Sequence, residues 1–239
     1  MTRPATLSDL APSGALAVIA PHPDDETLGC GGLLALAARE GRRAVVVLLT
    51  DGAASHPHSR LSPPATMARI RAGEIRRALT TLGHDAASLV AFGLPDGRLA
   101  QVDSASVVSR LAAVLDSRGV GAVFVTGPDD PHPDHRRAHA LAAEAAGAAG
   151  ATLWTYPVRA HARPAPPYRG WVRLPIDAVL PLKAAALRRH ASQWPGGVPD
   201  DPGGFHLTDE DLAFHLSGEE LYAPADPLQT GEASRSARR

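Results

Sequence analysis

Residues 16–20 of this chain read Leu-Ala-Val-Ile-Ala, an unbroken apolar run stopped by Pro21 and followed at once by His22, Pro23, Asp24, Asp25 and Glu26. Such a run suits a strand buried on both faces of a parallel sheet, which requires helices on either side. The carboxyl end of a strand is where open α/β sheets bind ligands, and here it carries one imidazole and three carboxylates. A turn capping the next helix would account for Asp24 and Glu26 without any function. A second cluster weighs against that bland account. Residues 122–126, Ala-Val-Phe-Val-Thr, form another buried-type run, ended by Gly127-Pro128 and followed by Asp129, Asp130, Pro131, His132, Pro133, Asp134 and His135. Pro133 fits the first position of a helix, which leaves His132 at the N-cap and His135 one turn on, roughly on the same side.

Strand and helix patterns alternate through the rest of the chain. Thr27 to Glu40 places Leu28, Leu33, Leu34, Leu36 and Ala37 at helical spacing and ends at Gly41. Gly29, Gly31 and Gly32 at its start point to close packing against the sheet or a ligand. Ala44 to Thr50 reads as a buried strand, Ala65 to Leu82 as an amphipathic helix, Ser88 to Leu94 as a strand, Ala105 to Asp116 as a helix, and Arg136 to Ala149 as a helix with alanine on its packing side. Strands are expected at Thr152 to Val158 and at Trp171 to Ile176, the latter held to a sheet edge by Pro175. A helix follows from Ala178 to Gln193, with Pro181 in its first turn. Ala53 to Pro64, which holds His56 and His58, and the Pro-rich stretch Arg159 to Arg169 read as irregular, the two histidines as solvated. Leu221-Tyr222 adds a short strand. Residues 1–222 are expected to form one domain and 223–239 a disordered tail. The alternation predicts an α/β fold of the Rossmann-like, doubly wound kind, with a mostly parallel sheet flanked by helices.

Composition narrows the partner. A net charge of −1 gives no basic field for nucleic acid or an anionic membrane, so a small molecule or glycoconjugate is the expected ligand. The single cysteine, Cys30, allows no intrachain disulfide and no Cys-rich zinc site. Residues 1–13 show no secretory pattern, and no apolar stretch reaches the roughly 18–20 residues of a membrane span. A cytoplasmic protein is expected, its oligomeric state left open.

Two imidazoles and a carboxylate converging from two strand ends make a mixed nitrogen and oxygen site. Three protein ligands with one open position is the pattern of catalytic zinc, and His22, Asp25 and His135 are the ligands expected here. Asp24 could then take a proton from an activated water. His132, held charged by a carboxylate such as Asp134, could stabilise an oxyanion or protonate a leaving amine. No nucleophile of comparable quality competes, because Cys30 lies among glycines and no G-x-S-x-G elbow is present. Hydrolysis by activated water is the expected reaction. The rival reading of Gly29-Cys30-Gly31-Gly32 as a nucleotide or S-adenosylmethionine loop fails on placement, since such a loop follows its strand directly and this one comes about eight residues later.

The motifs carry a resemblance. Ala-Pro-His-Pro-Asp-Asp-Glu at 20–26, Thr-Leu-Gly-Cys-Gly-Gly at 27–32 and His-Pro-Asp-His at 132–135 resemble the LmbE/PIG-L family of zinc-dependent N-deacetylases. The likeness continues through Arg71 to Gly83, through Phe-Gly-Leu-Pro-Asp-Gly at 92–97, and through Lys183 to Gln193. It implies a metal, Zn2+ or alternatively Fe2+, on His22, Asp25 and His135, with Asp24 as general base and His132 as electrostatic helper. It also implies that Arg71 and Asp96 contact a sugar-type substrate, where a surface pair and a turn residue are the plainer alternatives. The implied reaction removes acetyl from an N-acetylglucosaminyl group; some members cleave larger amides, including thiol conjugates. Lys183, His190 and Gln193 match a family pattern, and a helix packed beneath the site accounts for them. One departure stands out: Asp130 occupies the position where some members have a tyrosine proposed to assist the oxyanion.

Overall fold

The computed structural model describes residues 4–158 and 170–225. The predicted stretch Arg159 to Arg169 and residues 226–239 of the predicted tail lie outside them. Five parallel strands, β1 (Ala15–Ala20), β2 (Ala44–Thr50), β3 (Leu89–Leu94), β4 (Val120–Thr126) and β5 (Thr152–Tyr156), are joined by β6 (Val172–Pro175) and β7 (Glu219–Ala225) in a sheet of order β3-β2-β1-β4-β5-β7-β6. β1 pairs in parallel with both β2 and β4. The chain therefore reverses its winding direction between β1 and β4, and the crevice at their carboxyl ends is the topological switch point where such sheets bind ligands. The expected doubly wound α/β fold is the one observed.

Every residue of β1 is buried, as its apolar run requires. Leu16, Val18 and Ala20 join one core with α2 (Asp25–Arg39), α3 (Pro64–Thr81) and α6 (Leu180–Leu187). Ala17 and Ile19 join the other with α4 (Ser104–Arg118) and α5 (Pro133–Ala149). The period of two along the strand thus serves both faces.

Glycines set the height of α2 above the sheet. A Cβ on Gly29 would stand 2.0 Å from the ring of Tyr156, and one on Gly32 would stand 2.4 Å from Ile176. The Glu220 carboxylate of β7 accepts the N–H groups of Gly32 and Leu33 at 2.6 and 2.8 Å. Lys183 of α6, fully buried, donates to the same carboxylate at 2.8 Å. The glycine-rich stretch is therefore a packing device, and protein side chains occupy the space a phosphate would need.

The fold differs from the sequence reading in four places. The last helix stops at Leu187 and resumes as a single tight turn over Ala191–Gln193, because His190 leaves helical geometry to bury its ring. β7 is a seven-residue strand inserted antiparallel between β5 and β6, not a short terminal one. Residues 223–225 pair with β5, so sheet structure extends past the expected boundary at 222. Pro224 is tolerated there because β6 covers only Glu219–Tyr222 and leaves that side of β7 open. Two short helices were not expected, α1 (Leu7–Leu10) and α7 (Asp209–His215), each opened by a threonine capping box with aspartate three residues on. Pro175 does lie on an edge strand. Among the described residues no helix is long and apolar enough to cross a membrane.

Candidate active site

Two loops meet at the switch point. The first is pinned where β1 ends: the Pro21 carbonyl accepts both the N–H and the hydroxyl of Thr50 at the end of β2, at 3.0 and 2.8 Å. The second begins α5, where Pro133 takes the first turn and His132 is the N-cap, as its spacing predicts. His135 is tied down by its own carbonyl, which accepts the Thr126 hydroxyl at 2.9 Å.

Three donor atoms then face one another. His22 Nδ1 stands 3.1 Å from His135 Nε2 and 3.2 Å from Asp25 Oδ2, and His135 Nε2 stands 3.3 Å from Asp25 Oδ2. Ligands bonded tetrahedrally at about 2.0–2.1 Å stand about 3.3 Å apart, so this triangle fits a single small cation. A ring nitrogen of His132 lies within 4.8 Å of those of His22 and His135, close to the triangle.

The remaining nitrogen of each ligand-type histidine faces carboxylate. His22 Nε2 lies 3.1 Å from Asp96 and 3.4 Å from Asp134, and His135 Nδ1 lies 3.1 Å from Asp130. Such outer carboxylates fix the tautomer and orientation of metal-binding imidazoles. Burial alone would lower both histidine pKa values; the carboxylates outweigh it and raise them, His135 to about 9. The pocket therefore favours positive charge at its centre. Asp130, legible in the sequence only as a departure, acts here as the outer partner of His135.

Asp24 is the one non-glycine residue with positive φ among those described, at 150°. Its carboxyl is buried, which raises its pKa to about 6 against the opposing charge of Arg71. Arg71 Nη2 stands 3.2 Å from that carboxylate and donates to the Pro23 carbonyl at 2.8 Å, while Nη1 donates to Gly52 at 3.1 Å. Gly52 has φ +68, and a Cβ there would sit 2.9 Å from that Nη1, so the approach depends on glycine. Arg71 is 3% exposed and Glu74 2%, which overturns the surface-pair alternative: Glu74 faces inward and accepts from Ser192.

Residues 17–146 match the PIG-L family, GlcNAc-PI de-N-acetylase. The chain belongs to the PIG-L family. It is 30% identical over 199 residues to diacetylchitobiose deacetylase of Thermococcus kodakarensis, spanning 75% of this chain and 70% of that protein. It is 27% identical over 237 residues to 1D-myo-inositol 2-acetamido-2-deoxy-alpha-D-glucopyranoside deacetylase of a Mycobacterium species, spanning 78% and 76%. Its fold is shared with N,N'-diacetylchitobiose deacetylase from Pyrococcus horikoshii at a TM-score of 0.70, with 21% identity over 92% of this chain and 86% of that one.

In this PIG-L protein two expectations need correction. Asp134 does not hold His132 charged. Its carboxylate accepts the N–H groups of Gly97 and Leu99 at 2.8 and 3.0 Å and faces His22, while His132 Nδ1 accepts the Asp134 N–H at 3.1 Å. Burial and the neighbouring His22 and His135 lower the His132 pKa, and its Nδ1 is committed to the Asp134 N–H. His56 is not solvated either. It is 4% exposed and packed so closely on Gly204 that a Cβ there would come within 2.2 Å of the ring; His58 is exposed. Asp200 and Asp201 clasp this loop by accepting from His58, Ser59, Arg60 and Leu61.

The cavity over the donor triangle has a volume of about 250 Å³. Its polar floor includes Asp24, Arg71, Asp96 and His132, and Leu28, Val158, Phe205 and Leu207 form an apolar side. Asp96 accepts the Ala54 N–H at 2.8 Å, and although burial opposes it, His22 draws its pKa down to about 2. Cys30 is a buried free thiol whose pKa burial raises, so it offers no nucleophile. His190 and Gln193 are fully buried, and the partners of His190, Glu26 and Thr27, lie far off along the chain, which is what the sequence could not show.

Proposed function

We propose that this PIG-L protein is a metal-dependent N-deacetylase that hydrolyses an N-acetylglucosaminyl-type glycoconjugate to acetate and a free amine. The observation that carries the reading is the donor triangle of His22, Asp25 and His135 with a buried carboxylate, Asp24, beside it. Its mixed imidazole and carboxylate set suits Zn2+, with Fe2+ the alternative. A divalent cation held there supplies Lewis acidity, polarising an amide carbonyl and lowering the pKa of water toward about 7.

The chain's own residues complete the chemistry. Asp24, with a pKa of about 6, is largely ionised at neutral pH and accepts the proton of the attacking water. His132 presents Nε2–H to the oxygen that becomes negative as the carbonyl carbon turns tetrahedral. Because Nδ1 of His132 already accepts a backbone N–H, this ring acts as a neutral donor, and the proton taken up by Asp24 is the one delivered to the departing nitrogen. Breaking the C–N bond then releases acetate and amine. Asp134 keeps His22 oriented. Arg71 and Asp96 border the sugar while also holding Asp24 and His22 in place. The free thiol of Cys30 fits a cytoplasmic location.

The apolar side formed by Leu28, Val158, Phe205 and Leu207 favours one variant of the reading, a larger amide or an apolar aglycone in place of a bare sugar. Both are tested together by measuring acetate release from N-acetylglucosaminides of graded aglycone size, with and without added Zn2+ or Fe2+ after chelation. Metal-dependent acetate release supports the assignment. Its absence across the panel, with a purified protein that binds metal, defeats it.

A further inference from the structure

We propose that Glu26 is a positioning residue for this hydrolysis: its carboxylate, held from below by His190 and Thr27, receives the Asp24 N–H and keeps the Asp24 side chain turned into the cavity. The proposal rests on Asp24 acting as the base. Its ground is the backbone at Asp24, whose φ of 150° is a conformation that L side chains rarely adopt. Such a residue persists only where its surroundings over-determine it.

Two groups do so from opposite sides. Arg71 grips the carboxylate and the preceding carbonyl of Pro23. Glu26 Oε2 accepts the Asp24 N–H at 3.1 Å. Glu26 lies in the first turn of α2, where a carboxylate ordinarily faces water, yet it is 0% exposed. Its other oxygen accepts the Thr27 hydroxyl and stands 3.3 Å from Nε2 of His190, which is also fully buried. Thr27 Oγ1 lies 3.2 Å from the same nitrogen. A buried ion pair of this kind is weak evidence for stability, since well-packed apolar residues would hold the fold as well or better. What the pair accomplishes that apolar residues could not is to place an acceptor under one particular N–H. The support is also linked to the cavity wall: the turn that carries His190 ends at Gln193, whose carbonyl accepts the Leu207 N–H at 2.8 Å.

Glu26→Ala, Glu26→Gln and His190→Gln are compared with the wild type in the metal-loaded full chain. Glu26→Ala removes the acceptor and is expected to lower kcat about 100-fold, the scale of a misplaced catalytic group, with KM and metal per chain within about threefold. Glu26→Gln keeps an oxygen at that position and is expected to stay within about tenfold of wild type, as is His190→Gln. Hydrogen exchange at the Asp24 amide supplies a readout that needs no substrate. Protection is expected in wild type and Glu26→Gln and lost in Glu26→Ala. The idea is overturned if Glu26→Ala keeps both kcat and Asp24 protection. It is equally overturned if Glu26→Gln matches Glu26→Ala in kcat, metal and amide exchange, or if Glu26→Ala fails to fold and Glu26→Gln and His190→Gln leave Asp24 unprotected with kcat unchanged. Should no substrate be found, the hydrolase reading fails while the exchange data still judge Glu26.

Discussion

His22-Pro23-Asp24-Asp25 after β1 and His132-Pro133-Asp134-His135 after β4 are nearly the same tetrapeptide, yet corresponding residues serve different ends. The cause is where the helix begins. After β4 it begins at Pro133, so Asp134 has ordinary helical backbone and its carboxylate caps the N–H groups of Gly97 and Leu99. After β1 it begins only at Asp25, leaving Asp24 outside the helix at φ 150° with its carboxylate in the cavity. The environments part accordingly: although burial pushes both upward, Asp24 ends raised to about 6, while contact with His22 and backbone N–H groups leaves Asp134 lowered. The leading histidines diverge for the same reason. His132, as N-cap, commits Nδ1 to a backbone N–H, whereas His22 is free to aim Nδ1 at the shared centre. A shift of two residues in helix onset thus leaves Asp24 facing the cavity and Asp134 bracing Gly97 and Leu99, while each motif still sends its fourth residue, Asp25 or His135, to the shared centre.

Substitutions at matching positions test this division. The largest effect is expected at the fourth position: Asp25→Ala or His135→Ala should lose bound metal, read by elemental analysis, and at least about 1,000-fold in turnover. At the third position the motifs should separate. Asp24→Ala is expected to retain metal and lose about 100- to 10,000-fold in kcat. Unchanged turnover would remove Asp24 as the base. Asp24→Gly should be equally inactive yet more stable than Asp24→Ala by about 1 kcal/mol in denaturant titration, because glycine accepts the positive φ without strain. At the first position, His132→Ala should keep metal and lower kcat about 100-fold, since it removes one oxyanion donor. Asp134→Ala should instead show mainly in stability, by about 1–3 kcal/mol for two N–H groups left without their acceptor.

A smaller and separate effect calibrates the scaffold. Burial and the nearby Lys183 charge lower the pKa of His215, on α7, to about 3, and it donates to the Val158 carbonyl. The unfolded chain binds this proton below about pH 6.5 and the folded chain does not until about 3, so folding stability should fall with acid across that window. The contribution approaches about 1.4 kcal/mol per pH unit, and His215→Gln should flatten the slope by that amount in chemical denaturation at pH 4 to 6.

Much of this centre was legible because strand ends announce themselves. The apolar runs at 16–20 and 122–126 stop abruptly at proline or glycine, and the groups just beyond them are those that meet. What stayed hidden depends on partners distant in the chain. Glu220 on α2, His190 under Glu26 and Ser192 against Glu74 are contacts across more than 100 residues, and no periodicity encodes them. Asp24's backbone was equally silent, since aspartate carries no mark of positive φ. Asp134 braces Gly97 and Leu99, neighbours in space that its adjacency to His132 in the sequence does not reveal.

The insertion of β7 between β5 and β6 has a consequence for synthesis. Glu220 is the group that fastens the middle of α2, and it arrives from the ribosome nearly two hundred residues after the helix it secures. The parallel strands can assemble as they emerge, but the helix that opens with Asp25 stays unclamped until the late antiparallel strand docks. A nascent or clipped chain stopping short of residue 220 would thus display every motif of the catalyst and lack the fastening beneath it.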